Sequence, residues 1–203
     1  IVSNQLRMEN DPWSTYIGVF GPKFRRIDFH LNAEKSKEQK GEYLVSGKSK
    51  LGNNIREFEG KMNLNTVLMK KGIFDVDTMF ICLFDYHLSE PGDKNGDGVF
   101  KGVFSAIFYL KDGELELFWS ASGDYREINN VFVGVWERFN SDVKRQCIFT
   151  FHPAGLYNKL PYCDKLYKYE DNFDDYTYIK EEYLDFGWSD YDQSDGDKTD
   201  WWK

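Results

Sequence analysis

The sequence predicts an all-β protein, a single antiparallel up-and-down β-barrel of eight or nine strands followed by an acidic, aromatic C-terminal extension. Three observations point there. First, a five-residue phrase, aromatic-x-Gly-x-bulky apolar, occurs four times: Tyr16 to Phe20, Phe58 to Met62, Phe100 to Phe104 and Phe132 to Trp136. Its glycines, Gly18, Gly60, Gly102 and Gly134, are 42, 42 and 32 residues apart. Second, Asn or Asp residues precede every copy (Asn10-Asp11, Asn53-Asn54, Asn95 to Asp97, Asn129-Asn130), so each reads as a strand that begins after a turn. Third, side chains alternate faces along a strand, which puts both bulky residues and the glycine on one face. A glycine there admits a neighbouring chain or lets the strand bend at a barrel corner.

The first copy ends at the turn signal Gly21-Pro22 and leads into Phe24 to Leu31, where Ile27, Phe29 and Leu31 alternate with Arg26, Asp28 and His30. Ala33 to Lys40 is charged and is expected to be a solvated loop or short helix. Tyr43, Val45 and Gly47 resume the alternation until Gly52-Asn53-Asn54 turns the chain into the second copy. There Phe58, Gly60, Met62 and Leu64 share one face, and Glu57, Glu59, Lys61 and Asn63 the other. Thr78 to Leu88 starts apolar on both faces, which implies coverage by another element. The third copy is expected to run to about Leu110. Asp112-Gly113 then supplies the positive φ angles of a tight hairpin, and Leu115, Leu117 and Trp119 return on the next strand. Asn130 to Phe139 and Gln146 to Phe151 complete the series. Such a sheet removes its edges by closing on itself.

A chain of 203 residues suffices for one domain with a sizeable core, and one domain over 1–203 is expected, with the barrel at about 14–152. The net charge of −8 lies wholly in the last 40 residues, with 13 acidic and 5 basic residues against 21 and 21 before them. A barrel without a concentrated positive field is a poor partner for nucleic acid. No run is long and apolar enough to cross a membrane as a helix. In the extension, 153–203, the many large aromatics up to about Trp188 are expected to dock on the sheet, with Asp190 to Asp200 more mobile. Cys82 reads as a buried, inert thiol. Cys147 and Cys163 flank a loop and can pair in an oxidising compartment. The chain starts at Ile1 rather than Met, which fits a processed, secreted or cell-envelope protein such as a lipoprotein; a cytoplasmic one is the alternative.

With Gly18-Val19-Phe20 on the opening strand and Arg138 in phase with Trp136 on the last strong one, the chain resembles the lipocalins and the wider calycin group over roughly residues 14–152. The resemblance implies an up-and-down barrel in which a late arginine, here Arg138, packs on the first-strand aromatic, here Phe20, at the closed end.

Candidate chemistry is sparse. Asp93-Lys94-Asn95-Gly96-Asp97-Gly98 matches the first half of a calcium loop, with Asp93, Asn95 and Asp97 as alternate ligands. The twelfth position, a bidentate Glu in that pattern, is Phe104, and the other reading is an ordinary turn between strands. His30, His87 and His152 show no metal spacing, and no nucleophile elbow or phosphate-cradling loop occurs. The expectation is therefore binding without catalysis. A small apolar or aromatic ligand would sit inside the barrel against Phe29, Phe84, Phe104 and Trp119. The alternative is a protein-interaction or inhibitor module that uses the acidic aromatic segment.

Overall fold

Period-two patterning and turn residues give nine consecutive strands: β1 (Thr15–Phe20), β2 (Arg25–Lys35), β3 (Glu42–Leu51), β4 (Asn54–Ile73), β5 (Val76–Ser89), β6 (Gly98–Lys111), β7 (Glu114–Leu117), β8 (Val131–Arg138) and β9 (Lys144–Thr150). The computed structural model describes residues 15–73, 76–111, 114–118, 129–150, 165–169, 177–191 and 201–203. Every strand pairs antiparallel with its neighbour, β5 pairs with β6, and β1 pairs with β9, so the sheet closes. The result is an eight-stave up-and-down barrel, in the order β1-β2-β3-β4-β5-β6-β8-β9 and back to β1.

The extra strand, β7, lies on the same edge of β6 as β8. Leu117 stands opposite Phe108, and Val131 opposite Ser105. Together β7 and β8 make one stave interrupted by an insertion. At the break the Asn129 side chain acts as a substitute peptide: its Oδ1 accepts from Ile107 N at 2.9 Å, and its Nδ2 donates to Phe118 O at 2.5 Å. Without it, two backbone groups of the ladder would lose their partners.

Two strands exceed their expected lengths. β2 runs to Lys35 because Ala33 is an inward, buried position, and the turn follows only at 36–41. β4 runs to Ile73, past the end of its pairing with β3 at Asn63, with a bulge between Leu64 and Thr66.

All four glycine phrases are strands of this one sheet, with Gly and its aromatic neighbours facing the interior. A methyl group on Gly18, Gly60, Gly102 or Gly134 would land on the carbonyl oxygen of the adjacent strand, at Ile148, His87, Val133 and Lys101 respectively. These are the corners where neighbouring chains approach too closely for a Cβ. Gly102 and Gly134 face each other across β6 and β8, and this shared gap lets both strands coil sharply. Eight strands enclose a space that side chains can fill, and here rings fill it. Phe29, Phe149, Phe132 and Phe104 stack in succession, with centroids 3.9, 4.5 and 4.2 Å apart.

A second cluster forms outside the barrel. Ile17, Val19, Val131 and Ile148 point outward and are covered by Leu166, Tyr167 and Trp188. Leu166 immediately precedes a small hairpin of β10 (Tyr167–Tyr169) and β11 (Thr177–Ile179), which supplies Tyr167, and Trp188 comes from a helical stretch comprising α1 (Glu181–Tyr183) and a wide turn at Leu184–Trp188. Trp188 donates from Nε1 to Phe24 O at 2.7 Å and is 1 % exposed. The extension thus explains why the outer faces of β1, β8 and β9 are apolar as well. Its expected mobile part, Asp190 to Asp200, lies outside the described residues except for Asp190 and Tyr191, as does Cys163.

Candidate functional site

The two ends of the barrel differ. At one end all the links between staves are described: Gly21–Phe24, Gly52–Asn53, Glu90–Asp97 and Phe139–Val143. The Glu90–Asp97 segment caps this end because its carboxylates turn inward. Glu90 is 5 % exposed; one of its oxygens accepts from Gly98 N at 2.6 Å and from Trp136 Nε1 at 3.1 Å. Burial raises its pKa above the ordinary carboxylate range, and those two donors partly oppose the rise. Asp97 is 2 % exposed and accepts on Oδ2 from Gly92 N and Lys94 N, both at 3.1 Å. Arg56 Nε stands 3.0 Å from its Oδ1, an ion pair with poor hydrogen-bond direction.

This arrangement bears on the calcium pattern. Asp97 is surrounded by N–H donors and a guanidinium, and Asn95 Oδ1 accepts from Arg138. Asp93 is exposed on the loop. A cation needs oxygen ligands directed at a common point, whereas the Asp97 and Asn95 oxygens point at cationic and N–H groups. The residues present do not fit a calcium ion, and no step runs through one. Among the described residues, no group of three or more His, Cys, Asp or Glu side chains is placed to hold a metal.

The expected closed-end pairing is also rearranged. Phe20 packs edge-on against Trp136, with centroids 5.5 Å apart, while Arg138 reaches out to Asn95. Trp136 takes the place beside the first-strand aromatic because its indole is anchored on Glu90.

Of the residues expected to line a ligand, Phe29, Phe84 and Phe104 are brought into one core. They touch through Phe132 and Phe149, two rings whose role the alternation alone did not single out. Each of the three has no solvent-accessible surface, which excludes a water-sized void against it. Trp119 lies outside the described residues. Cys147 is a free thiol facing the interior beside Tyr86, and burial pushes its pKa up to about 12. Its sequence position beside a loop gave no sign of that orientation; its cross-strand partner Gly134, an inward position, does. Cys82 is likewise free and buried.

The other end of the barrel presents apolar side chains to solvent. Val67 and Met69 lie opposite Cys82 and Phe80, which face the interior, so they share the inward face. They are nonetheless 50 % and 64 % exposed. The cause is the length of β4. It continues beyond the last residue of β3 with which it pairs, so on the β3 side no described stave stands beside Val67 and Met69. These inward-pointing apolar residues form a rim in register with the buried Cys82 and, across β5, with Phe108. On the outer face of β3 and β4, Glu42 is held below its ordinary range by the Lys61 ammonium, 2.9 Å away.

The outer wall of β2, β3 and β4 carries a shallow groove of about 540 Å³ lined by Asn32, Glu34, Leu44, Ser46, Glu59 and Lys61. Beside it, Trp202 stacks on His30 with centroids 4.6 Å apart and planes 9° from parallel. No helix among the described residues is long and apolar enough to cross a membrane.

Comparison of the chain with protein-family models, with curated proteins and with solved structures returns no match.

Proposed function

We propose that the chain is a non-catalytic binding protein that takes a small apolar or aromatic ligand at the open end of its barrel. The observation that carries this reading is the inward-facing yet exposed pair Val67 and Met69, above the closed core. Apolar side chains on a concave, core-directed rim gain by being covered, at about 25 cal/mol for each Å² removed from water. The ligand is placed at this rim rather than among Phe29, Phe84 and Phe104, whose stacked neighbours would have to part to admit it. Non-catalytic use agrees with the engagement of the buried carboxylates: Asp28 with Arg26, Glu42 with Lys61, Glu90 with Trp136, Asp97 with Arg56.

The alternative, protein capture by the acidic aromatic segment, is less favoured, because Tyr167 and Trp188 of that segment are buried against the barrel. The test is titration with anilinonaphthalene sulfonate and with a straight-chain fatty acid. Saturable binding that Met69→Asp and Val67→Asp abolish, and that Leu44→Asp on the outer wall leaves intact, is the expected result. Binding absent from the native chain, or lost equally in Leu44→Asp, overturns the proposal.

A further inference from the structure

The groove on the outer wall of β2, β3 and β4 is a second surface, which the rim does not use. Register fixes its layout. Glu34, Leu44 and Lys61 stand side by side in one row, and Asn32, Ser46 and Glu59 in the next. Their chain neighbours Ala33, Tyr43, Val45 and Met62 fill the core, so both rows face outward. Lys61 is drawn out of the groove by Glu42, which stands opposite Asn63 in the row beyond, 2.9 Å from its ammonium. On the other side Lys48 faces Glu57, its cross-strand partner, at 3.9 Å. Among the described residues, no cation engages the carboxylates of Glu34 and Glu59.

We propose that this groove binds a linear aliphatic polyamine, with its terminal ammonium groups on Glu34 and Glu59. Lys61 and Glu42 cancel, so the two free carboxylates leave the groove negative and complementary to a cationic occupant. Their spacing selects its shape. They lie diagonally across the sheet, two strand spacings of about 4.8 Å one way and two residues of about 3.4 Å the other, which sets their Cα atoms about 12 Å apart. A single metal ion holds its oxygen ligands at about 2.3–2.6 Å and suits no such span. Between the two charges lie Leu44, 49 % exposed, and the hydroxyl-bearing Ser46. Methylene groups of a polyamine cover Leu44, and an internal ammonium donates to Ser46 Oγ. A volume of about 540 Å³ accommodates such a chain. The site lies on the outer wall and the rim faces inward, so neither reading depends on the other.

Titration of the full chain with spermidine at low salt, followed by backbone amide NMR shifts, is the test. Saturable shifts at Glu34, Leu44, Ser46 and Glu59 are expected, and they should fade as sodium chloride rises to about 0.5 M. Glu34→Gln and Glu59→Gln should each weaken binding about three- to fivefold, and the double variant about tenfold or more, the two sites being far enough apart to add. Met69→Asp at the rim should change nothing in this titration. No saturable shift at these amides by about 10 mM spermidine overturns the proposal, as does a double variant that titrates like the native chain. Equal shifts with magnesium chloride at the same ionic strength would mean diffuse attraction to carboxylates, and would also overturn it. So would a tri-lysine peptide that saturates these amides at lower concentration than spermidine, which would assign the groove to a protein segment.

Discussion

Replacing Gly60 by Ala tests why the chain places a glycine at each barrel corner. The added methyl carbon would fall on the carbonyl oxygen of His87 and 2.8 Å from the Cα of Leu88, both backbone atoms of β5. Carbon atoms in contact rest at about 3.5–4.0 Å, so the two strands must separate by about 1 Å. Ladder hydrogen bonds occupy a window of only about 0.5 Å, and a separation of that size breaks the bonds flanking the site. Two such bonds at about 1 kcal/mol each, with overpacking of about 1–3 kcal/mol, give a loss of about 3 kcal/mol or more. For a chain of this length that lowers Tm by roughly 6–12 °C. Thermal unfolding followed by circular dichroism is the assay. Glu59→Ala, one residue away on the exposed face, is the control and should stay within about 0.5 kcal/mol of the native chain. If Gly60→Ala melts within about 2 °C of Glu59→Ala, the strands do not approach as described and the corner argument fails.

Three further outcomes are expected. Trp136→Phe keeps the ring against Phe20 but removes the Nε1–H donor to Glu90, and should cost about 2 kcal/mol in urea unfolding; an unchanged midpoint would mean that Glu90 does not rely on the indole. His30 should titrate below the ordinary histidine range because burial, and secondarily Lys48, oppose its charged form. The folded state then binds fewer protons than the unfolded chain, so this contribution is present above the ordinary histidine pKa and is lost as pH falls through the depressed value. Lys48→Met should raise the NMR midpoint, and a lower one would contradict the assignment. The Cys147 thiol, with a pKa pushed up to about 12, should react with Ellman's reagent only at the rate of unfolding; prompt reaction in the native state would show that it does not face the core.

The strand class and the closure were legible because Phe58, Gly60 and Met62 repeat, in phase, what Phe100, Gly102 and Phe104 do elsewhere, and a corner glycine leaves a mark in any sequence. The antiparallel pairing of β6 with β7 was legible from the strand patterns on either side of Asp112-Gly113, two residues that themselves lie outside the described ones. The rim was not. Val67, Leu68 and Met69 carry no period of their own, and their exposure arises because β3 ends before β4 does, a fact of pairing rather than of composition. The choice between a calcium loop and an ordinary turn was not legible for a related reason: Asp93, Asn95 and Asp97 have the right spacing, yet one Asp97 oxygen faces Arg56, more than thirty residues away in sequence. Arg138 was expected on Phe20, but the indole of Trp136, two residues earlier, packs there and hydrogen-bonds to Glu90. Asn129 looked like turn punctuation, and its work as a substitute peptide depends on the insertion that splits the stave.

The closing seam between the first and last staves decides the architecture most directly. Backbone nuclear Overhauser contacts should link Val19 with Ile148 and Gly18 with Phe149, in the same sample that shows Tyr86 linked with Gly102. Seeing both sets means that the sheet meets itself. The β5–β6 contacts without those between β1 and β9 would mean an open sheet, and would contradict the barrel and the rim derived from it.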